Sequence, residues 1–160
     1  MAESLSLDRT DLRLLALLQQ DGRATNTDIA AQISLSPSAC LRRIQRLEAA
    51  GVIRGYAALV DPKSVGLGLQ AFVRVQLEKH GQQGLEPFIE GVNSWDEVVA
   101  CHALTGDMDY LLHVVVQDLE HFSQFLLDKL INATGVADVN SSFVLRTVKQ
   151  TRALPLGHLA

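Results

Sequence analysis

The segment from Leu35 to Gly51 constrains the fold of this chain more than any other, because its ends and both of its faces fit one amphipathic helix. Ser36 suits the N-cap, Pro37 suits the first helical turn, and Gly51 suits the position that ends a helix. Apolar residues recur at helical spacing along one face, at Cys40, Ile44 and Leu47. We therefore predict a helix that buries this face in a core.

The opposite face of the same helix is basic and polar. Glu48 is the single acidic residue of the segment, so the arginines lack the carboxylates one turn away that usually support a solvated helix. Such a face suits a polyanion and predicts a recognition helix for DNA. The alternative is a small helical bundle whose basic face is only solvated. The residues expected to contact DNA are Ser36, Ser38, Arg42, Arg43 and Arg46.

Two predicted helices precede this one and complete a helix-turn-helix. Asp8 caps the first, which runs to about Gln20. Thr25 caps the second, with Asp28 in a capping-box position. Residues 34–36 then form the tight turn into the basic helix, so the three helices have the order of a DNA-binding module.

The balance of charge changes along the chain. Residues 52–60 have β character and are expected to form a wing or an exit strand, so that residues 1–60 make up the DNA-binding domain and residues 61–68 a linker. Residues 1–60 contain seven Lys and Arg against six Asp and Glu, whereas residues 61–160 contain seven against twelve. Contact with DNA must therefore depend on a local basic patch.

The short apolar runs and the positions of the cysteines favour a cytoplasmic protein without a membrane partner. No stretch reaches the ~18 consecutive apolar residues of a membrane span, and the first residues lack the pattern of a signal sequence. Cys40 falls on an apolar helix face and Cys101 inside a predicted strand. Both are therefore expected to be small core residues rather than a disulfide or a metal pair.

The second half of the chain alternates strand and helix signals in the order β-α-β-β-α-β. The predicted strands cover residues 69–77, 98–104, 109–116 and 139–148. One predicted helix runs from Leu85 to about Val92, and another follows a cap at Asp118. The residues expected to face inward on the latter are Leu119, Phe122, Phe125, Leu126, Leu130 and Ile131. This order predicts an α+β, ferredoxin-like domain over residues 69–160, with helices on one face of an antiparallel sheet.

The predicted strand at residues 110–116 is apolar on both faces, with His113 as the exception. A strand whose sheet has one wet face should alternate. We therefore predict that a second copy covers the open face, sheet against sheet. The alternative is a central strand that tolerates exposed apolar groups. A dimer also suits DNA binding, because two recognition helices can address two half-sites.

Several short motifs occur in a specific order and spacing, although each alone is weakly specific. They are Leu7–Asp11, Leu35–Gly51, Gly55-Tyr56 with Asp61-Pro62, Gly106–Leu112 and Arg152–Leu156. Over about residues 5–156 the chain thereby resembles the leucine-responsive regulator/AsnC (Lrp/AsnC) family of bacterial and archaeal transcription factors. The resemblance implies a second domain that binds an amino acid at contacts between subunits, which biases assembly and DNA binding. The expected partners are double-stranded DNA, a free amino acid, and further copies of the chain in a homodimer that assembles into larger oligomers.

The turn from Thr105 to Tyr110 is the candidate effector site that the resemblance favours. Gly106 lets backbone N–H groups meet an α-carboxylate, and Asp107 or Asp109 can hold an α-ammonium. On spacing alone, a hairpin turn whose aspartates bond their own backbone is the commoner arrangement. The residues expected to bind the effector are Thr105, Gly106, Asp107, Met108, Asp109, Thr134, Gly135, Val136, Ser141 and Ser142, with Asn140 nearby. Met108 departs from the aromatic residue that the family often has in this turn.

The identity of the effector and the class of protein have alternatives. Met108, Leu104 and Val136 would supply an apolar pocket, which favours leucine or methionine. Sirohaem decarboxylases resemble this architecture and use histidine and basic residues near a tetrapyrrole. Here the histidines are scattered, and His102 and His113 on neighbouring predicted strands have no acidic or cysteine partner at ligand spacing. A sensor that does not bind DNA is a third hypothesis. The basic helix favours a regulator that is no enzyme and needs no cofactor or metal.

Overall fold

The computed structural model of the protein describes residues 6–78 and 85–158. The chain folds as two compact units. The first unit ends at Leu59 and also contains the segment that begins at Lys149, whereas the second unit is Val60–Val148. The second unit is therefore inserted into the sequence of the first.

The placement of the segment from Lys149 differs from the expectation that residues 69–160 form one domain. The physical basis is a pair of hydrogen bonds to α1, the first helix. The Leu154 backbone N–H donates to Gln19 Oε1 at 2.6 Å, and Gln19 Nε2 donates to the Leu154 carbonyl at 3.2 Å. A single glutamine side chain thus satisfies both backbone groups of one residue of the segment.

The first unit contains three helices, each capped by the side chain that the sequence predicts. They are α1 (Arg9–Gln20), α2 (Asn26–Gln32) and α3 (Pro37–Ala49), and their N-caps are Asp8, Thr25 and Ser36. The core of this unit consists of Leu14, Ile29, Ala30, Ile33, Cys40, Ile44 and Leu47. The predicted buried face of α3 is therefore confirmed, and its basic face is left on the outside.

One expectation about the first unit is wrong. Residues 52–60 form no β-strand. A strand needs a neighbour for its backbone hydrogen bonds, and none of the described residues pairs with this segment.

The second unit is an antiparallel sheet with helices packed on one face. Its elements are β1 (Leu69–Leu77), α4 (Leu85–Ser94), β2 (Val98–Ala103), β3 (Tyr110–Val116), α5 (Leu119–Gln124) and β4 (Val136–Phe143). The strand order is β2-β3-β1-β4, and every pairing is antiparallel. The predicted ferredoxin-like fold is therefore confirmed.

The two faces of the sheet differ in what covers them. The covered face carries Ala71, Val73, Val75, Leu112, Val114 and Val116, which pack with Phe88, Phe122, Phe125 and Leu130 from the helical side. On the other face Phe72 is 41% exposed and stacks on His113 with ring centroids 4.7 Å apart. Leu111 and Val115 lie half-buried on this same face. We call it the open face, and β3 is apolar on both sides as predicted.

Strand β4 lies earlier in the sequence than predicted. It is Val136–Phe143 rather than residues 139–148. Phe143 pairs with Ala71 near the start of β1, and one further hydrogen bond closes the ladder. Beyond that point β1 offers no partner, and the side chain of Leu145 is 98% exposed. The start of β1 therefore sets the end of β4, and the composition of β4 alone does not reveal this limit.

Helix α5 continues into a π-helical segment, Phe125–Leu130. A π-turn takes more residues than an α-turn, so the side chains that follow rotate away from the face that α-helical spacing predicts. Phe122, Phe125 and Leu130 are buried as expected, whereas Leu119 and Ile131 are exposed. The expectation that the latter two face inward is therefore wrong.

The cysteines lie where the sequence places them. Cys40 is buried in the first core, and Cys101 is half-buried against the second. Burial raises the pKa of both thiols. Among the residues that the structure describes, no helix has both the length and the apolar character that a membrane crossing requires.

Candidate functional site

The N-terminal end of α3 is shaped by the predicted tight turn. Ser34 has a φ of 57°, which makes it the one residue other than glycine with positive φ in the described ranges. Ser36 Oγ accepts a hydrogen bond from the Ala39 backbone N–H at 3.2 Å, and the hydroxyl oxygens of Ser36 and Ser38 lie 3.2 Å apart. The two serines predicted to contact DNA therefore lie together at the exposed start of α3.

The three arginines of α3 are not equivalent. Arg43 Nη1 donates to Asp8 Oδ2 and to Asp11 Oδ1, each at 2.7 Å. Arg46 Nη2 donates to Asp11 Oδ2 at 2.5 Å. Arg42 is exposed and makes no hydrogen bond or ion pair with any described residue. The structure thus places all the predicted DNA-contact residues on α3 or its cap, but engages two of the arginines within the unit.

Asp11 is the centre of this arrangement. Its side chain is 0% exposed, and both of its carboxylate oxygens are paired, since Oδ2 also accepts from the Asp8 backbone N–H at 3.0 Å. A buried carboxylate needs such partners because burial removes its water. The Asp11 backbone N–H and the Arg43 guanidinium hold the pKa of Asp8 below its ordinary value. Hydrogen bonds to Asp8 and Asp11 raise the pKa of Arg43.

Sequence reasoning misses Asp11, although a signal is present. Asp11 precedes Leu14 and Leu15 by three and four residues, which puts it on the apolar face of α1. A carboxylate on an apolar face predicts a cationic partner, since buried charges are almost always paired. The partners themselves are hidden, because they are separated from it by 32 and 35 residues.

A cavity of about 750 Å³ lies at the turn between β2 and β3 in the second unit. Its lining residues are Gln76, Leu77, Glu78, Leu85, Ala103, Leu104, Gly106, Asp107, Asp109 and Tyr110. Gly106 has a φ of 123°, a conformation that suits glycine. The cavity therefore includes Gly106, Asp107 and Asp109 of the predicted effector residues, and also the predicted apolar residue Leu104.

The two aspartates of this turn differ in their bonding. Asp109 Oδ2 accepts from the Leu77 backbone N–H at 2.7 Å, and the Asp109 backbone N–H donates to the Val75 carbonyl at 3.0 Å. Asp109 thereby fastens the turn to the end of β1. Asp107 is exposed and forms no hydrogen bond with the described residues, so its carboxylate is free to meet a cation.

The other predicted effector residues do not line this cavity. They are Thr105, Met108, Thr134, Gly135, Val136, Ser141 and Ser142. The Gly135 carbonyl accepts from the Glu78 backbone N–H at 2.8 Å, and Val136 pairs with Leu77. This loop therefore flanks the same end of β1 as the turn, on the opposite edge. The two serines lie further along β4.

The histidines that an alternative hypothesis considers do not face each other. His102 pairs with Leu111, whereas His113 pairs with Ala100 and its ring lies 3.3 Å from Gln70 Oε1. Burial lowers the pKa of His113. Among the described residues, no three His, Cys, Asp or Glu side chains cluster as a metal site would require.

Comparisons with known proteins identify an N-terminal and a C-terminal domain along the chain. Residues 7–54 match the family model described as winged helix-turn-helix DNA-binding, and residues 70–154 match that described as Lrp/AsnC ligand binding domain. The chain is 34% identical over 155 residues to the transcriptional regulator AzlB of Bacillus subtilis, covering 97% of this chain and 99% of that protein. It is 37% identical over 148 residues to the leucine-responsive regulatory protein of Klebsiella pneumoniae, covering 92% and 90%. The crystal structure of a Neisseria meningitidis transcriptional regulator in complex with L-Met matches with a TM-score of 0.93 at 50% identity, covering 97% of this chain and 100% of that one.

Proposed function

Since the chain belongs to the Lrp/AsnC family of DNA-binding transcriptional regulators with an amino-acid ligand-binding domain, we propose that α3 contacts double-stranded DNA and that the cavity at the β2–β3 turn binds the amino acid. Methionine is the first candidate and leucine the second. The observation that carries the proposal is the difference between the two aspartates of the turn. The Asp109 carboxylate accepts a hydrogen bond from β1, whereas the Asp107 carboxylate bonds none of the described residues.

The chemistry of the cavity supports an apolar amino acid. Asp107 offers a carboxylate to an α-ammonium, and Gly106 leaves backbone N–H groups accessible to an α-carboxylate. Leu85, Leu104 and Tyr110 supply apolar lining for a side chain. The Neisseria meningitidis regulator that is 50% identical to this chain holds L-Met, which favours methionine over leucine.

The effector site is tested with the matched variants Asp107→Ala and Asp109→Ala in the full chain. Loss of a charge-assisted bond to the ammonium should weaken L-methionine binding by about tenfold or more in Asp107→Ala. Its melting temperature without ligand should stay unchanged, because Asp107 has no hydrogen-bond partner among the described residues. Asp109→Ala should instead lower the free energy of unfolding by about 0.5–1.5 kcal/mol, since it removes the exposed hydrogen bond that the Leu77 N–H donates.

Titration calorimetry with L-methionine and L-leucine, together with thermal denaturation, measures both effects. An Asp107→Ala chain that binds L-methionine like the parent would place the ammonium site elsewhere. Coupling between two sites is reciprocal. The titration is therefore repeated with a duplex enriched by in-vitro selection from a random library, and the affinity for methionine should differ from that without DNA.

For the assembly, we propose a cytoplasmic homodimer that pairs through the open face and builds larger oligomers. The apolar residues Phe72, Leu111 and Val115 on that face support a sheet-to-sheet contact. We also propose that the protein acts without catalysis, cofactor or metal. A purified chain that absorbs visible light as a bound tetrapyrrole does would contradict this part of the proposal.

A further inference from the structure

The three arginines of α3 differ in whether a carboxylate pairs with them. Arg43 and Arg46 are held by carboxylates from the N-terminal turn of α1, and Arg42 projects into solvent one residue earlier. The side chains of the two held arginines remain 28% and 43% exposed. All three arginines are therefore at least partly exposed, and what distinguishes them is whether they have a carboxylate partner.

The cluster is electrically balanced. Asp8 and Asp11 supply two carboxylates, and Arg43 and Arg46 supply two guanidiniums. DNA affinity arises largely when a cation neutralises a phosphate and releases the counterions around it. A guanidinium that already neutralises a carboxylate has less charge to offer a phosphate, and its departure from Asp11 would weaken the pairing of a buried carboxylate, which is costly in the interior.

We propose that Asp11 is a positioning residue for DNA binding: it holds Arg43 and Arg46 against α1, so that Arg42 is the arginine of α3 that meets a phosphate. This inference rests on the proposed contact between α3 and DNA. By withdrawing two cations, Asp11 limits the affinity for DNA of any sequence and leaves discrimination to the exposed start of α3. A purely structural role, in which the cluster only packs α1 against α3, predicts no such effect on DNA affinity.

The salt dependence of DNA binding separates these roles. The full chain and the variants Arg42→Gln and Arg46→Gln are titrated with a fluorescent mixed-sequence duplex over a series of salt concentrations. Arg42→Gln should reduce the slope of log affinity against log salt by about one unit per bound subunit. Arg46→Gln should keep the parent slope, and the helical signal in circular dichroism checks that it is folded.

The outcomes of this comparison are distinguishable. A slope reduced equally in Arg46→Gln would overturn the positioning role of Asp11 while leaving α3 on DNA. Parent slopes in both variants would overturn the assignment of α3 to DNA, and with it this inference.

Asp11→Asn adds the reverse test, because it removes the charge that holds Arg46 and leaves Arg43 paired with Asp8. We expect a steeper slope by about one unit and a smaller preference for the selected duplex over the mixed one. Asp21→Asn is the matched control, since Asp21 is an exposed carboxylate of the same unit and, within residues 6–78 and 85–158, bonds only the local Arg23 N–H. Equal slopes in the two asparagine variants would contradict the proposal, and the arginine pair decides it if Asp11→Asn does not fold.

Discussion

The two units of this chain differ in how completely they bury their apolar residues. In the first unit, α3 buries Cys40, Ile44 and Leu47 and turns a polar face outward. In the second, the sheet buries Val114 beneath the helices while Phe72 on the open face remains 41% exposed. A helix has room for an apolar stripe and a functional polar face, whereas a sheet that is apolar on both faces has to bury two. The first unit closes its own core, and the second keeps a surface that a second copy can cover.

The largest expected effect separates the two faces of β3. Val114→Glu puts a carboxylate into the covered face, where the parent side chain is fully buried, and should cost several kcal/mol of stability. Val115→Glu puts the same group on the half-buried open face and should leave the fold intact but yield monomers. Trp95, the single tryptophan of the chain, reports on the second unit by fluorescence, and light scattering gives the mass.

The second result decides the proposed dimer contact. If Val115→Glu keeps the mass of the parent, the open face is not the contact between subunits. If Val114→Glu keeps native Trp95 emission, the covered face is less closely packed than the structure shows.

An intermediate effect tests how tightly each unit packs around a glycine. A Cβ at Gly91 would lie 2.9 Å from Trp95 Cζ2, and that ring is itself packed edge-on against Phe125 at 5.7 Å. Gly91→Ala should therefore lower the free energy of unfolding by about 1 kcal/mol, because overpacking outweighs the better helix propensity of alanine. The matched change in the first unit, Gly22→Ala, meets Tyr56 at an ordinary 3.5 Å and should be nearly neutral.

Chemical denaturation followed at Trp95 and by helical circular dichroism measures both glycine variants. Equal stability of Gly91→Ala and the parent would show that the indole ring yields at little cost. The packing around Trp95 would then be looser than the 2.9 Å approach indicates.

The smallest expected effect is a response of the second unit to pH near neutrality. Burial lowers the pKa of His113, so the folded state favours its neutral form. This contribution to stability is fully present above the unfolded pKa of about 6.5 and is lost as the pH falls through that value toward the folded pKa. The lowered pKa of Asp8 in the first unit acts in a different range, because its contribution is present above the unfolded value of about 3.9 and is lost below it.

Thermal melts at about pH 7.5 and pH 5.5 test this difference between the units. The Trp95 transition should move down by about one or two degrees on acidification, and His113→Gln should remove that movement. A His113→Gln chain whose Trp95 transition moves by as much as that of the parent would contradict the assignment to His113.

Periodicity in the sequence predicts most of the fold, and the failures share a cause. The buried face of α3 and the order of strands and helices along the second unit follow from local spacing. The absence of a strand at residues 52–60 and the early end of β4 depend on which partner lies alongside, and no local pattern contains that information. The π-segment similarly shifted Ile131 from the inside to the outside of its helix.

For the candidate site the same limit applies to pairs of residues. The sequence predicts the basic helix and the turn with its two aspartates. It does not show which of their charged side chains are paired within the protein and which are available to a ligand. Asp109 is identified as the residue that holds the turn to β1 only because the Leu77 N–H, 32 residues away, donates to it. Asp11 likewise becomes visible as a partner of Arg43 and Arg46 only in the folded unit.

The hydrogen bonds between Gln19 and Leu154 join positions 135 residues apart, and this has a consequence for biosynthesis. Helices α1 to α3 are translated first and the strands of the sheet unit next, before Leu154. The first unit therefore waits for the second to be made before its last hydrogen bonds can form. A nascent chain arrested after β4 already displays the basic helix, yet without the segment that fastens α1 in the finished protein.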